Sequence, residues 1–330
     1  MVSFTVFKGS QNGKIVKSSS TREVGPDQVL VKVTHAGLCG TDEHRRHDDM
    51  VLGHEGTGMV ERIGGDVKTL SIGDRIGWGF IHSSCLNCEQ CLTGHENLCP
   101  DAEKYGSANL DQGAFGTYAV WKASYVFKIP SSMAPEHAAP LMCGGATVFH
   151  VLRAGGAQPT DRVGVIGVGG LGHLAIQFAS KMGCEVVVFS STENKRDEAT
   201  KLGAKQFFAT KGKTELDIGR KINHLIVTTS MPPDWNVFLP LMAPRGTIYP
   251  VTVSADHLEL PYTTITRMEL RVQGSFVAPR QVHKQMIEFA ALHGIKPIIE
   301  EFPLTVEGIT EAMEKLNSGK MRYRGVLLAQ

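Results

Sequence analysis

Gly167-Val168-Gly169-Gly170-Leu171-Gly172 follows directly on an apolar run, Val163 to Ile166, and opens an amphipathic stretch from Leu171 to Met182. No other feature narrows the fold as far. Glycines at G-x-G-x-x-G spacing occur in many loops, but between a strand and a helix they let the backbone approach a pyrophosphate. The free N–H groups and dipole of the helix N-terminus stabilise that anion. The context therefore predicts a dinucleotide site. Beyond it the pattern alternates, with a strand over Glu185 to Phe189, a helix over Lys195 to Leu202, and apolar strands at Leu225 to Val227 and Thr247 to Tyr249. Alternating strand and helix imply a parallel, doubly wound sheet.

The chain before this region has a different character. Its first 140 or so residues carry short alternating runs such as Val29-Leu30-Val31-Lys32-Val33, broken by glycine, which read as a β-rich domain. A helical stretch, Ala134 to Arg153, is expected to join the two regions. The tail from about Ala278 reads as a helix (Val282 to His293), an extended stretch, a second helix (Val306 to Ser318) and a strand (Gly325 to Leu328). On pattern alone the tail could belong to either domain.

The strand after the glycine loop ends in Phe189-Ser190-Ser191-Thr192, followed by Glu193-Asn194-Lys195-Arg196. A site for NAD normally places an acid at that strand end to accept from the ribose hydroxyls. Here three hydroxyls and two cations follow, which suits the 2′-phosphate of NADP(H).

Seven cysteines leave one over if they pair as disulfides. Their spacing indicates metal ligation in a reducing compartment instead. Cys85, Cys88, Cys91 and Cys99 fall within fifteen residues. Four sulfurs close a tetrahedral zinc shell and make the metal structural, although an iron–sulfur cluster is a rival occupant. A dispersed set is formed by Cys39, the pair His54-Glu55, and Cys143, placed by the pattern on the helix before the dinucleotide fold. Three ligands with one open position describe a catalytic zinc. His82, His95, His137, His150 and His173 lack any metal-like spacing and read as surface or packing residues.

A net charge of +1 points to no nucleic-acid or membrane partner, and 42% hydrophobic with 20% charged residues is ordinary for a globular chain. No apolar run approaches the roughly 20 residues of a membrane helix. The N-terminus, with Lys8 and Lys14 amid alternating residues, does not read as a secretory signal, so a cytoplasmic location is expected.

These residues together resemble the zinc-dependent medium-chain alcohol dehydrogenases, in the cinnamyl-alcohol-dehydrogenase-like branch. The matching segments are Gly37 to His44, Gly53 to Gly65, Gly73-Asp74-Arg75, the four-cysteine lobe, Ala139 to Cys143, Gly167 to Gly172 and Arg322-Tyr323-Arg324. The resemblance implies a GroES-like catalytic domain (residues 1–143 and 278–330) carrying two zinc ions, interrupted by a Rossmann NADP-binding domain (residues 144–277). It implies Cys39, His54 and Cys143 as catalytic zinc ligands, Glu55 as an acid able to approach the metal, and Asp42 as the partner orienting His54. Thr41 would pass the substrate proton to His44 and so to solvent. Thr147, Ser275, Phe276 and Arg324 would touch the cofactor, and Trp78 and Phe80 either line the substrate pocket or pack the core. A homodimer is also implied.

One departure stands out. Only nine residues separate His44 from His54, where relatives carry a longer insertion rimming the substrate cleft. A more open cleft favours bulky or aromatic alcohols and carbonyls over small ones. A polyol or sugar dehydrogenase on the same scaffold would usually take Glu as third ligand, which Cys143 argues against. A non-enzymatic nucleotide-binding protein would not need the intact ligand set with Thr41 and His44.

Overall fold

Arg162–Ile166 pairs in parallel with Glu185–Ser190 on one side and with Ile222–Val227 on the other. Gln206–Ala209 extends the sheet beyond the first neighbour, and Met242–Pro250 and then Arg271–Val272 extend it beyond the second, all parallel. The first strand in sequence thus lies at the centre of a six-stranded sheet, and the strand order reverses beside it. Its residues are all buried, as are the four central residues of Glu185–Ser190. Strands covered on both faces read as continuous apolar runs, which is why Val163 to Ile166 and Val186 to Phe189 show no polar alternation.

The computed structural model describes residues 1–254 and 256–329. They divide into two compact units, Met1–Ala146 with Val277–Gln330, and Thr147–Phe276, the latter holding the parallel sheet. In the other unit a mainly antiparallel sheet of seven strands is centred on Gln28–Leu38, which pairs with Glu55–Ile63, Tyr118–Lys122 and Arg324–Leu328. Val29, Val31, Val33 and Leu38 point into one core together with Trp78, Phe115 and Trp121. The tail therefore joins the β-rich unit, because its final strand hydrogen-bonds along Gln28–Leu38. Among the described residues no helix is long and apolar enough to cross a membrane.

The expected helix over Ala134 to Arg153 is interrupted. Pro135–Ala138 is one α-helical turn, Ala139–Met142 tightens to a 3-10 turn, and Gly144–Ala154 resumes the α-helix. Pro140 has no N–H for an α-helical hydrogen bond. The chain is released at Cys143, with φ −127° and ψ −63°. Cys143 thus occupies a break between two turns of helix, not a position on one.

His283 lies in the tail helix Arg280–His293, 5% exposed, with its ring stacked 4.0 Å from that of Phe127. Burial lowers its pKa from the usual value to about 3. Between about pH 6.5 and 3 the unfolded chain then binds a proton that the folded chain does not. Stability is present in full above this window and falls as the pH descends through it. At pH 5 the cost is about 2 kcal/mol. His283→Phe keeps a stacked ring without the titrating nitrogen. Denaturant titrations at pH 7.5 and pH 5 should show a smaller acid loss for the variant, and equal losses would contradict this account.

Candidate metal centre and nucleotide cavity

Strand register brings the first group together. Gly37 lies opposite Glu55, and Leu38 opposite Gly325, so Cys39, Glu55 and Arg324 meet at one end of three adjacent strands. A Cβ on Gly37 would overlap the Glu55 side chain; glycine here makes room for that carboxylate.

Cys39 is the N-cap of the short helix Gly40–His44. The Cys39 N–H donates to Oδ2 of Asp42 at 2.9 Å, closing a capping box. The other Asp42 oxygen accepts from His54 Nδ1 at 2.9 Å and from the Gly53 N–H at 3.2 Å. The Gly53 N–H also reaches the Tyr105 hydroxyl at 3.1 Å, and the Tyr105 ring lies 4.8 Å from that of His54. Burial disfavours protonation of His54, but the Asp42 carboxylate and, after it, Cys39 together outweigh burial and hold the pKa well above its ordinary value. With Nδ1 turned to Asp42, Nε2 faces the other way, buried and without a hydrogen-bond partner.

That nitrogen belongs to a cluster. One ligand atom each from Cys39, His54, Glu55 and Cys143 lies within 4.8 Å of all the others. The hydrogen bond from Cys143 holds the Cys39 thiol well below its ordinary pKa, against the effect of burial, and His54 adds to the lowering. Burial pushes Glu55 up to about 7, with the Arg324 charge opposing the rise. Both Glu55 oxygens accept from the Arg324 guanidinium. A thiolate-and-imidazole set around a buried, donor-less nitrogen fits a zinc ion, with Glu55 restrained beside it by Arg324.

The Thr41 hydroxyl is 3.8 Å from the Cys39 sulfur. His44, one helical turn on, is exposed. Trp78 is fully buried in the core, whereas the partly exposed Phe80 meets the His54 ring edge-on at 5.6 Å.

Cys85, Cys88, Cys91 and Cys99 form the second cluster, again within 4.8 Å of one another. Cys88 caps the short helix Glu89–Leu92, and its N–H donates to the Cys85 sulfur at 3.3 Å. Next to this lobe the buried Glu96 accepts from the Arg280 backbone N–H at 2.6 Å and from Nε at 3.1 Å, fastening it to the tail helix. Cys184, buried, belongs to neither cluster.

In the parallel-sheet unit a cavity of about 490 Å³ opens where the strand order reverses, with Gly167, Val168, Gly169, Ser190, Ser191 and Lys195 among its walls. That is the size of a small-molecule site. Gly167 has φ +94°, a conformation other residues resist. A Cβ on Gly169 would meet nothing within 4 Å, which leaves that backbone open to a ligand. Gly170 and Leu171 complete the turn, and Gly172 begins the helix Gly172–Lys181. Thr192 is exposed and outside the lining, as N-cap of a 3-10 turn. Lys195 Nζ donates to the Val168 carbonyl at 2.5 Å. The second expected cation is engaged elsewhere: Arg196 pairs with Glu193 at 2.6 and 3.0 Å and lies 4.9 Å over the ring of Phe207. A neighbouring acid and ring draw it off the cavity. Thr147 is buried on the helix Gly144–Ala154, the Ser275 hydroxyl lies 3.4 Å from His150 Nδ1, and Phe276 is exposed. Arg324 lies in the β-rich unit with its guanidinium on Glu55. Sequence reasoning missed Tyr105, whose surroundings in the chain carry no motif.

Residues 25–131 match the alcohol dehydrogenase GroES-like domain family, and residues 170–291 the zinc-binding dehydrogenase family. Aldehyde reductase AdhA of Synechocystis sp. is 34% identical over 312 residues, covering 92% of each chain. A cinnamyl alcohol dehydrogenase of Sorghum bicolor matches in structure with a TM-score of 0.90 at 31% identity, covering 99% of this chain and 97% of that one. A CAD of Helicobacter pylori, solved with NADP(H), matches with a TM-score of 0.87 at 26% identity, covering 99% and 98%.

Asp42 lies outside the candidate ligand set, yet it holds two of its members, Cys39 and His54. Asp42→Asn should weaken zinc at the Cys39 cluster about 10- to 100-fold. Competition with a chromogenic chelator measures this, with the four-cysteine cluster as internal reference. Unchanged retention of zinc at both clusters would remove Asp42 from the account.

Proposed function

Given that the chain belongs to the zinc-dependent medium-chain alcohol dehydrogenases, in their cinnamyl-alcohol-dehydrogenase-like branch, we propose that it reduces bulky aromatic or branched aldehydes and ketones with NADPH. The family makes it an alcohol dehydrogenase and aldehyde reductase; substrate size and cofactor choice are the proposed refinements. The observation that carries the reading is the convergence of Cys39, His54, Glu55 and Cys143 within 4.8 Å.

Cys39, His54 and Cys143 would hold a catalytic zinc, and the four cysteines of the lobe a structural one. When bound, the catalytic zinc supplies Lewis acidity at the substrate oxygen, and the nicotinamide supplies the hydride carrier. The chain does the rest. Asp42 fixes His54 with Nδ1 protonated and Nε2 toward the metal. Thr41 presents its hydroxyl beside the Cys39 sulfur, where it can hand a proton to the substrate oxygen or take one from it. His44, exposed at the end of the same helical turn, exchanges that proton with solvent. Glu55, held by Arg324, would keep a buried carboxylate beside the bound metal.

Support for NADP(H) comes from the hydroxyls of Ser190 and Ser191 and the ammonium of Lys195 on the cavity wall. Of the acids nearby, Glu193 is paired with Arg196, and Asp234, on the cavity wall, accepts from the Asn236 N–H as N-cap of the helix Trp235–Phe238. Support for bulky substrates comes from the short segment after His44. Arg46 Nε donates to the Gly13 carbonyl at 2.5 Å, the Ser10 N–H to the Arg46 carbonyl at 3.0 Å, and Lys8 pairs with Asp49 at 2.6 Å. Met50, Val51 and Leu52 are buried. The segment is thus laced to the N-terminal loop. A homodimer is proposed through the exposed edge strand Arg271–Val272; in the chain between it and its neighbour Met242–Pro250, Val253, Leu258 and Tyr262 leave apolar surface in solvent. Cysteine ligands, which bind as thiolates, are consistent with a reducing cytoplasm.

NADPH consumption tests the reading. The kcat/KM for cinnamaldehyde should exceed that for acetaldehyde, and Thr41→Ala should lower turnover by about 10²-fold or more while Thr41→Ser retains most of it. Preference for acetaldehyde would refute the substrate proposal; equal rates for the two Thr41 variants would refute the proton path.

A further inference from the structure

Arg196 is unavailable to a 2′-phosphate, which leaves the NADP(H) reading with Lys195 as its only cation from the helix start. A second cation arrives from a different loop. Gln206–Ala209 lies beside Glu185–Ser190 in the sheet, with Ala209 opposite Ser190. Past the strand ends the two chains stay joined: the Thr210 N–H donates to the Ser190 carbonyl at 2.8 Å, and the Lys211 N–H to the Ser191 carbonyl at 3.1 Å. The chain then turns. Gly212 takes φ +75°, and the Lys213 N–H closes on the Thr210 carbonyl at 3.0 Å. The turn folds Lys213 back, so that Thr210 and Lys213 line the same cavity as Ser190, Ser191 and Lys195. Among the described residues Lys213 makes no ion pair.

From this placement we infer that Lys213 is a specificity-determining residue, supplying the second positive charge that recognises the 2′-phosphate of the dinucleotide. The inference rests on the NADP(H) reading above and refines it. Lys195, tied to the Val168 carbonyl, faces the phosphate from the glycine-loop side; Lys213 faces it from across the ends of the two neighbouring strands. Arg196 acts indirectly, by neutralising Glu193, whose carboxylate would otherwise repel the phosphate. A cation at an exposed position adds a modest, salt-sensitive contribution to a phosphate contact.

The probes are adenosine 2′,5′-bisphosphate and AMP, which differ only in the 2′-phosphate, titrated calorimetrically into the full-length protein. Lys213→Met should weaken the bisphosphate about three- to tenfold and leave AMP within about twofold, the difference shrinking at ~0.3 M salt. The double variant Glu193→Gln/Arg196→Met, which removes the pair together, should bind the bisphosphate as the unaltered protein does. Wild-type affinity for the bisphosphate in Lys213→Met, or equal weakening of both ligands, overturns the assignment of Lys213 while leaving the cofactor reading intact. A bisphosphate loss in the double variant instead returns the phosphate to Arg196. If the unaltered protein binds AMP and the bisphosphate equally, the NADP(H) reading itself fails and Lys213 falls with it.

Discussion

Both oxygens of Asp42 are committed inside a fully buried pocket, one to the Cys39 backbone N–H and the other to His54 Nδ1 and the Gly53 N–H. A buried carboxylate without such partners would be costly. With them it joins two segments eleven residues apart, the helix turn after Cys39 and the turn before Glu55, into one rigid unit. The capping box that starts the helix and the hydrogen bond that fixes the imidazole share one side chain. The helix start, the His54 tautomer and the direction of Nε2 are therefore set together.

The second constraint is strand register. A shift by one residue would turn every side chain to the opposite face. Gly37 would no longer lie opposite Glu55, and Arg324 would leave the carboxylate that its guanidinium now grips. The strand Arg324–Leu328 thus takes part in the candidate metal site while Arg324 stands outside the ligand set. It holds Glu55, which sits beside the predicted metal with its own pKa pushed up by burial.

Features encoded locally were legible in the sequence. The glycine loop between an apolar strand and an amphipathic helix, the alternation after it and the four-cysteine spacing all emerge from neighbours within a dozen or so residues. The dispersed cluster was proposed from lone cysteines and a His-Glu pair, but no periodicity links Cys39 to Cys143, and the part each residue plays came from family resemblance. The break at Cys143 had a local cause in Pro140, masked by the helical pattern on either side. Tyr105 and the Glu55–Arg324 pair depend on tertiary packing and register. Arg196 reads as a phosphate ligand from its place at the helix start, but Glu193, three residues earlier, and Phe207 on the next strand hold its guanidinium instead. Lys213 was invisible for the converse reason: it approaches Ser190 only because two strands are neighbours in the sheet.

The account stands on the dispersed set being a metal centre of two sulfurs and one nitrogen, distinct from the all-sulfur lobe. Zinc K-edge X-ray absorption on protein purified from zinc-replete cells measures this directly, together with elemental analysis. Two zinc ions per chain should be found, with an averaged first shell of about three sulfurs at ~2.3 Å and the remaining positions nitrogen or oxygen. One zinc per chain in a shell of four sulfurs would mean that Cys39, His54 and Cys143 hold no metal, and the central claim would be wrong.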